Sequence, residues 1–161
     1  MSHHAENPEE WMQQAMALAL ANVRSSRGGP FAALVVRAGE ILGRGTNLVT
    51  ATNDPTAHAE IMAIREACQK IGHFELTGCE IYATCEPCPM CFGAIYWARP
   101  AKIYYAARSA DAAKIGFDDS LIYSEIQQPV AARKIPMVHL MRDEALKVFR
   151  AWEQKSDKVP Y

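Results

Sequence analysis

No run of apolar residues in this 161-residue chain approaches the length needed to cross a bilayer, so a membrane-spanning class is set aside. Neither sign of charge is in excess. Lys and Arg total 17 against 18 acids, for a formal net charge of -1, and no field is built here to gather phosphates. Neither a nucleic-acid partner nor a membrane partner is therefore expected. Glycine and proline are unenriched at 9 each, and there is no internal repeat, low-complexity tract or linker. The polar, acidic stretch Met1 to Glu10 lacks the basic and then apolar pattern of a secretory leader, and His3 and His4 within it read as part of a disordered start. Five cysteines are an odd number, so a disulfide scaffold is not expected and a reducing, cytoplasmic setting is. What the chain does have is 50% apolar residues, enough to bury one core, and the expectation is a single domain over 1–161.

Asn7-Pro8-Glu9-Glu10 supplies a helix cap, a first-position proline and two first-turn acids, followed by helical spacing from Trp11 to Val23. Phe31 to Val36 reads as a strand buried on both faces, turning at Ala38-Gly39 into a second strand over Glu40 to Gly45. Leu48 to Asn53 reads as loop. Asp54-Pro55 opens a second helix by the same cap-plus-proline logic, running to about Lys70. Short strands are expected at Glu80 to Thr84, Lys102 to Ala106 and Met137 to Met141. Helices are expected from Pro89 to Arg99, from Ala110 to Ile126 with a break at Gly116, and from Asp143 to Gln154. This alternation predicts a three-layer α/β/α sandwich.

Chemistry concentrates in His58-Ala59-Glu60 and in Cys85-Glu86-Pro87-Cys88-Pro89-Met90-Cys91. His58, Cys88 and Cys91 offer zinc three ligands and leave the fourth position for a bound water or hydroxide, which is the arrangement of a catalytic site. Both segments fall where a helix should begin, and the positive end of a helix favours thiolates. The H-x-E and P-C-x-x-C elements together form the pattern of zinc deaminases acting on nucleobases, with Glu60 as the proton carrier. His58 and Glu60 are two residues apart, and on a regular helix such residues face different sides. They converge only at a helix mouth. Other readings stand beside this one: a redox Cys-x-x-Cys pair, part of an iron–sulfur motif through Cys85, or a closed zinc site in a non-catalytic binding module with Cys85 as fourth ligand.

Through Gly29-Pro30-Phe31, Asn53 to Glu60, Cys85 to Pro100 and Gly116-Phe117-Asp118-Asp119-Ser120, the chain resembles the cytidine deaminase superfamily, and within it the bacterial guanine deaminases. The resemblance implies a mixed five-stranded sheet with helices on both faces. It also implies one zinc ion per subunit and hydrolytic deamination of a small purine base, guanine giving xanthine and ammonia. Asp119 would bind the purine edge or share proton transfer. Asn47, the Ala59 N–H, Phe31, Trp97 and Tyr161 would contact the base. A homodimer is implied in which a C-terminal segment of about 143–161 is exchanged, bringing Tyr161 over the partner's pocket. Deaminases of tRNA adenosine, guanosine, cytosine or ammeline share much of the pattern and remain alternatives.

Overall fold

The computed structural model describes residues 7–161, so the expectation for His3 and His4 lies outside the described residues. The described chain falls into two compact units, one running to Asp119 and the other spanning Ser120–Tyr161. In the first, helix α1 (Pro8–Arg24) starts as its sequence demands, with the Asn7 side chain accepting the Glu9 N–H. Strands β1 (Ala32–Arg37) and β2 (Glu40–Thr46) form the expected hairpin, with both Ala38 and Gly39 in the left-handed region. Strand β3 (Glu80–Cys85) pairs antiparallel to β1, and β4 (Lys102–Ala107) pairs parallel to β3. The sheet order is β2-β1-β3-β4.

Strand β1 is buried on both faces because its alternate side chains enter different layers. Ala33 and Val35 join Ile81 and Ala83 beneath the helices that carry the candidate site, whereas Leu34 and Val36 pack with Tyr82 against Ala15 of α1. On the site face lie α3 (Ala59–Ile71) and α4 (Pro89–Ala98), following a one-turn helix α2 (Val49–Thr52) within the expected loop. Helix α3 meets the sheet through Ala59, Ala63 and Ala67, all buried. It can lie that close because β2 presents glycine: a Cβ on Gly45 would stand 1.9 Å from the Ala59 carbonyl oxygen, and one on Gly43 2.2 Å from that of Ala63. Two short helices, α5 (Ser109–Lys114) and α6 (Ser120–Gln127), flank the expected break at Gly116. The second unit adds a 3-10 turn at Val130–Ala132 and helix α7 (Arg142–Gln154).

Two expectations are corrected. The second helix starts at Ala59 rather than at Asp54, because Asp54 Oδ1 accepts both the N–H and the hydroxyl of Thr56 and closes a local turn. The sheet has four strands among the described residues, not five. Met137 to Met141 alternates apolar residues but finds no ladder partner there, and without one it stays irregular.

Candidate metal centre and active site

The turn at Asp54 sets the site's geometry. It delays the helix until His58 is the N-cap, with φ -70° and ψ 155°, leaving Glu60 as the second helical residue. His58 is thus outside the helical repeat, and the two-residue spacing no longer sends it away from Glu60. The second arm is built alike. Cys88 is the N-cap of α4 with φ -66° and ψ 168°, Pro89 opens the helix, and Cys91 lies in its first turn. The loop before it is tied down where the Glu86 N–H donates to the Ala107 carbonyl at 2.8 Å and the Glu86 carboxylate accepts the Ser109 N–H at 3.0 Å.

These two helix starts bring His58, Cys88 and Cys91 together, one ligand atom from each lying within 4.8 Å of the others. The His58 Nδ1 atom faces both sulfurs at 3.5 Å. Such close groups compete for protons. A hydrogen bond with Cys91 and the neighbouring His58 pull the Cys88 thiol down to about 4, against the opposing effect of burial. Its bond to Cys88, and burial, push Cys91 up, while the bond to Cys88 outweighs burial and raises His58. A divalent cation removes that competition by accepting two thiolates and a neutral imidazole together. The donor set, two soft sulfurs and one imidazole, fits zinc.

Cys85 does not join the cluster. It ends β3, buried, with its thiol directed at the Arg108 carbonyl at 3.7 Å, and burial pushes it up to about 11. The described residues therefore bring three metal ligands together, not four, as an open catalytic site requires.

Glu60 is 9% exposed, and burial raises its carboxyl above the usual carboxylate range, partly offset by a hydrogen bond at its own backbone and one to Cys91. A carboxyl raised in this way holds a proton more readily than an exposed one, which suits a group that must both take and return one. Asp119 is also raised, first by burial and then by the charges of Cys88, Asp118 and Glu86.

Asn47 follows β2 directly and is buried. Its N–H donates to the Phe31 carbonyl at 3.1 Å, and the neighbouring Leu48 N–H donates to Ala57, next to His58, at 2.9 Å. The Asn47 Oδ1 atom accepts the Val49 N–H at 3.2 Å and the Gly29 N–H at 3.4 Å, which directs the Nδ2 donor the other way. Ala59, at the first helical position, has an N–H without an intrahelical acceptor. Phe31 meets Phe117 edge to face, ring centroids 4.9 Å apart. Phe117 was not among the residues singled out from the sequence, where its only signal was its place beside Asp118 and Asp119. Trp97 lies in the last turn of α4 with 63% of its surface exposed, and Tyr161, in the second unit, is 72% exposed.

Residues 5–107 match the family described as the cytidine and deoxycytidylate deaminase zinc-binding region. The chain is 49% identical over 155 residues to guanine deaminase of Bacillus subtilis, covering 96% of this chain and 99% of that protein. The crystal structure of the Bacillus subtilis enzyme superposes with a TM-score of 0.94 over 97% of this chain and 99% of that one. A guanine deaminase structure from Nitrosomonas europaea, 34% identical, covers 90% of this chain and 84% of its own, with a TM-score of 0.68. A tRNA-specific adenosine deaminase of Buchnera aphidicola is 34% identical over 139 residues, 86% of this chain and 88% of that protein. With its three-ligand cluster and buried carboxyl at two helix starts, and with this match along its length, the chain belongs to the cytidine and deoxycytidylate deaminase family.

Proposed function

We propose that this chain hydrolyses guanine at C2, releasing the 2-amino group as ammonia and leaving xanthine. The observation that carries the chemistry is the buried Glu60 carboxyl two residues beyond a metal ligand, in a site with three ligands rather than four. The choice of guanine is supported by the near-full-length similarity to the Bacillus subtilis enzyme.

His58, Cys88 and Cys91 hold zinc, which when bound supplies Lewis-acid activation of water. Glu60 accepts the proton from the attacking water and passes it to the ring nitrogen beside C2. It then takes the second proton from the new C2 hydroxyl and gives it to the departing amino group as the carbonyl forms, so the proton account closes with water added and neutral ammonia lost. The Ala59 N–H donates to the substrate carbonyl, and the Asn47 amide donates to the ring. Asp119 accepts from the N–H groups of guanine or shares its proton with the leaving group. Phe31 stacks on the base, backed by Phe117.

Trp97 and Tyr161 belong to a further part of the proposal, a homodimer exchanging the segment of about 143–161. The second unit leaves Val138, Leu140, Val148 and Phe149 exposed, and in the first unit α4 leaves Phe92, Tyr96 and Trp97 exposed. Dimerisation through these residues would cover them and close each pocket with a partner's Tyr161. No helix among the described residues is long and apolar enough to cross a membrane. Five free cysteines suit a cytoplasmic setting.

The test is a substrate panel read by ammonia release from the zinc-loaded protein: guanine, guanosine, adenine, cytosine, ammeline and a tRNA anticodon stem-loop. Turnover of guanine above the others is the expected result, and reaction of the stem-loop alone would refute the proposal.

A further inference from the structure

A buried side chain on α1 holds the backbone from which Asn47 projects. Asn22 lies in the last two turns of that helix and is only 4% exposed. An asparagine amide nitrogen carries two hydrogens, and here each has its own acceptor. Nδ2 donates to the Asn47 carbonyl at 2.9 Å and to the Gly29 carbonyl at 3.0 Å. Asn22 in turn is held by the chain around it, its own carbonyl accepting the Ser25 hydroxyl at 3.0 Å and the Arg27 N–H at 3.2 Å.

Gly29 and Asn47 are the two ends of one contact, since the Gly29 N–H donates to Asn47 Oδ1. One amide group therefore clamps the loop entering β1 to the residue leaving β2. There is no slack in the clamp. A Cβ on Gly28 would stand 2.0 Å from the Asn47 carbonyl oxygen, a backbone atom that no rotamer can move aside. Losing Asn22 would leave the buried Asn47 carbonyl without this donor and the half-buried Gly29 carbonyl with only the Phe31 N–H, and would free Asn47 to shift. A displacement of the order of 1 Å in a positioning contact is enough to weaken a ligand's binding markedly.

We propose that Asn22 is a positioning residue for the base-binding site, acting through the Asn47 backbone to keep the Asn47 amino group aimed at the acceptor edge of the purine. The inference rests on the reading that Asn47 contacts the base. Asn22 touches neither substrate nor metal, so its loss is felt in binding far more than in the chemical step.

The test uses zinc-loaded Asn22→Leu, Asn47→Ala and the double variant. The readouts are zinc content, guanine kinetics, and calorimetric affinity for hypoxanthine, which lacks the 2-amino group and is not consumed. In Asn22→Leu, KM for guanine is expected to rise at least tenfold and hypoxanthine affinity to fall by the same factor, with kcat within threefold of the parent and zinc retained. Adding Asn22→Leu to Asn47→Ala should cost far less than the two single losses multiplied together, because Asn22 reaches the base mainly through Asn47 and otherwise only through the Gly29 carbonyl that also accepts the Phe31 N–H. A side chain with only a structural role would instead give losses that multiply in the double variant, or unchanged affinity in the folded single variant, and either result overturns the inference. Unchanged affinity in Asn47→Ala would overturn the reading of the base site itself, and the inference with it. Should Asn22→Leu fail to accumulate, Asn22→Ala, which admits water to the two carbonyls, takes its place with the same expectations.

Discussion

Gly45→Ala tests whether the close seating of α3 on β2 is what aligns the reacting groups. Its new methyl carbon would stand 1.9 Å from the Ala59 carbonyl oxygen and 2.5 Å from the Ala63 nitrogen. Carbon and carbonyl oxygen rest at about 3.3 Å or more, so the first turn of α3 must retreat by about 1.4 Å unless the strand yields. That turn carries His58 and Glu60. A misplacement of about 1 Å costs roughly 100-fold in rate, so kcat/KM should fall by about that factor. Overpacking of this kind also destabilises the fold by about 1–3 kcal/mol. Gly43→Ala is the comparison: it strikes the same helix one turn later, 2.2 Å from the Ala63 carbonyl oxygen, away from the ligand and the carboxyl. Both variants should lose similar Tm in thermal melts, but ammonia-release kinetics per zinc-loaded enzyme should fall much further in Gly45→Ala. A Gly45→Ala enzyme with kcat/KM within threefold of the parent would refute the reasoning.

Glu60→Gln should keep its zinc, measured by elemental analysis, and lose about 100- to 10,000-fold in kcat. In the zinc-stripped protein the raised Glu60 carboxyl lends stability that is full below the ordinary carboxylate range and is lost as pH rises through the raised value. Melts of that protein should therefore weaken on going alkaline, and Glu60→Gln should flatten the decline. Gly28→Ala pushes the Asn47 carbonyl from 2.0 Å away and should raise KM for guanine about tenfold, with kcat changed less. After chelation at pH 6, Cys88, held at about 4, is a thiolate, whereas Cys85, at about 11, is not. Peptide mapping after iodoacetamide should find Cys88 modified first and zinc protecting it; prior modification of Cys85 would contradict the ligand assignment.

The metal ligands were legible because their chemistry constrains residue type and spacing together: His58, Cys88 and Cys91 have few substitutes for holding zinc. The hairpin was legible for a local reason, two left-handed residues between two apolar runs. The start of α3 was not. Asp54-Pro55 is a good helix opening by propensity, but the same aspartate closes a tighter loop onto Thr56, and one side chain cannot do both. The expected fifth strand at Met137 to Met141 failed for the opposite reason. Its alternation reports a face suited to burial, and a strand also needs a neighbour to pair with.

The glycines and the one asparagine, Asn22, that hold the site from behind were the least legible of all, and their silence has a physical cause. Gly43, Gly45 and Gly28 matter through the space that a Cβ would take from a backbone distant in sequence, and Asn22 matters through two carbonyls 7 and 25 residues away. None of this leaves a periodicity or a motif. It does explain how a helix start can serve as a reaction site. An N-cap is ordinarily a place where chains fray, yet His58 and Glu60 must hold their positions within a fraction of an ångström. Packing β2 glycine against the first turn of α3, and clamping Asn47 from behind with Asn22, removes the freedom to fray without placing another side chain in the pocket. The reacting groups gain their rigidity from backbone contact rather than from further side chains.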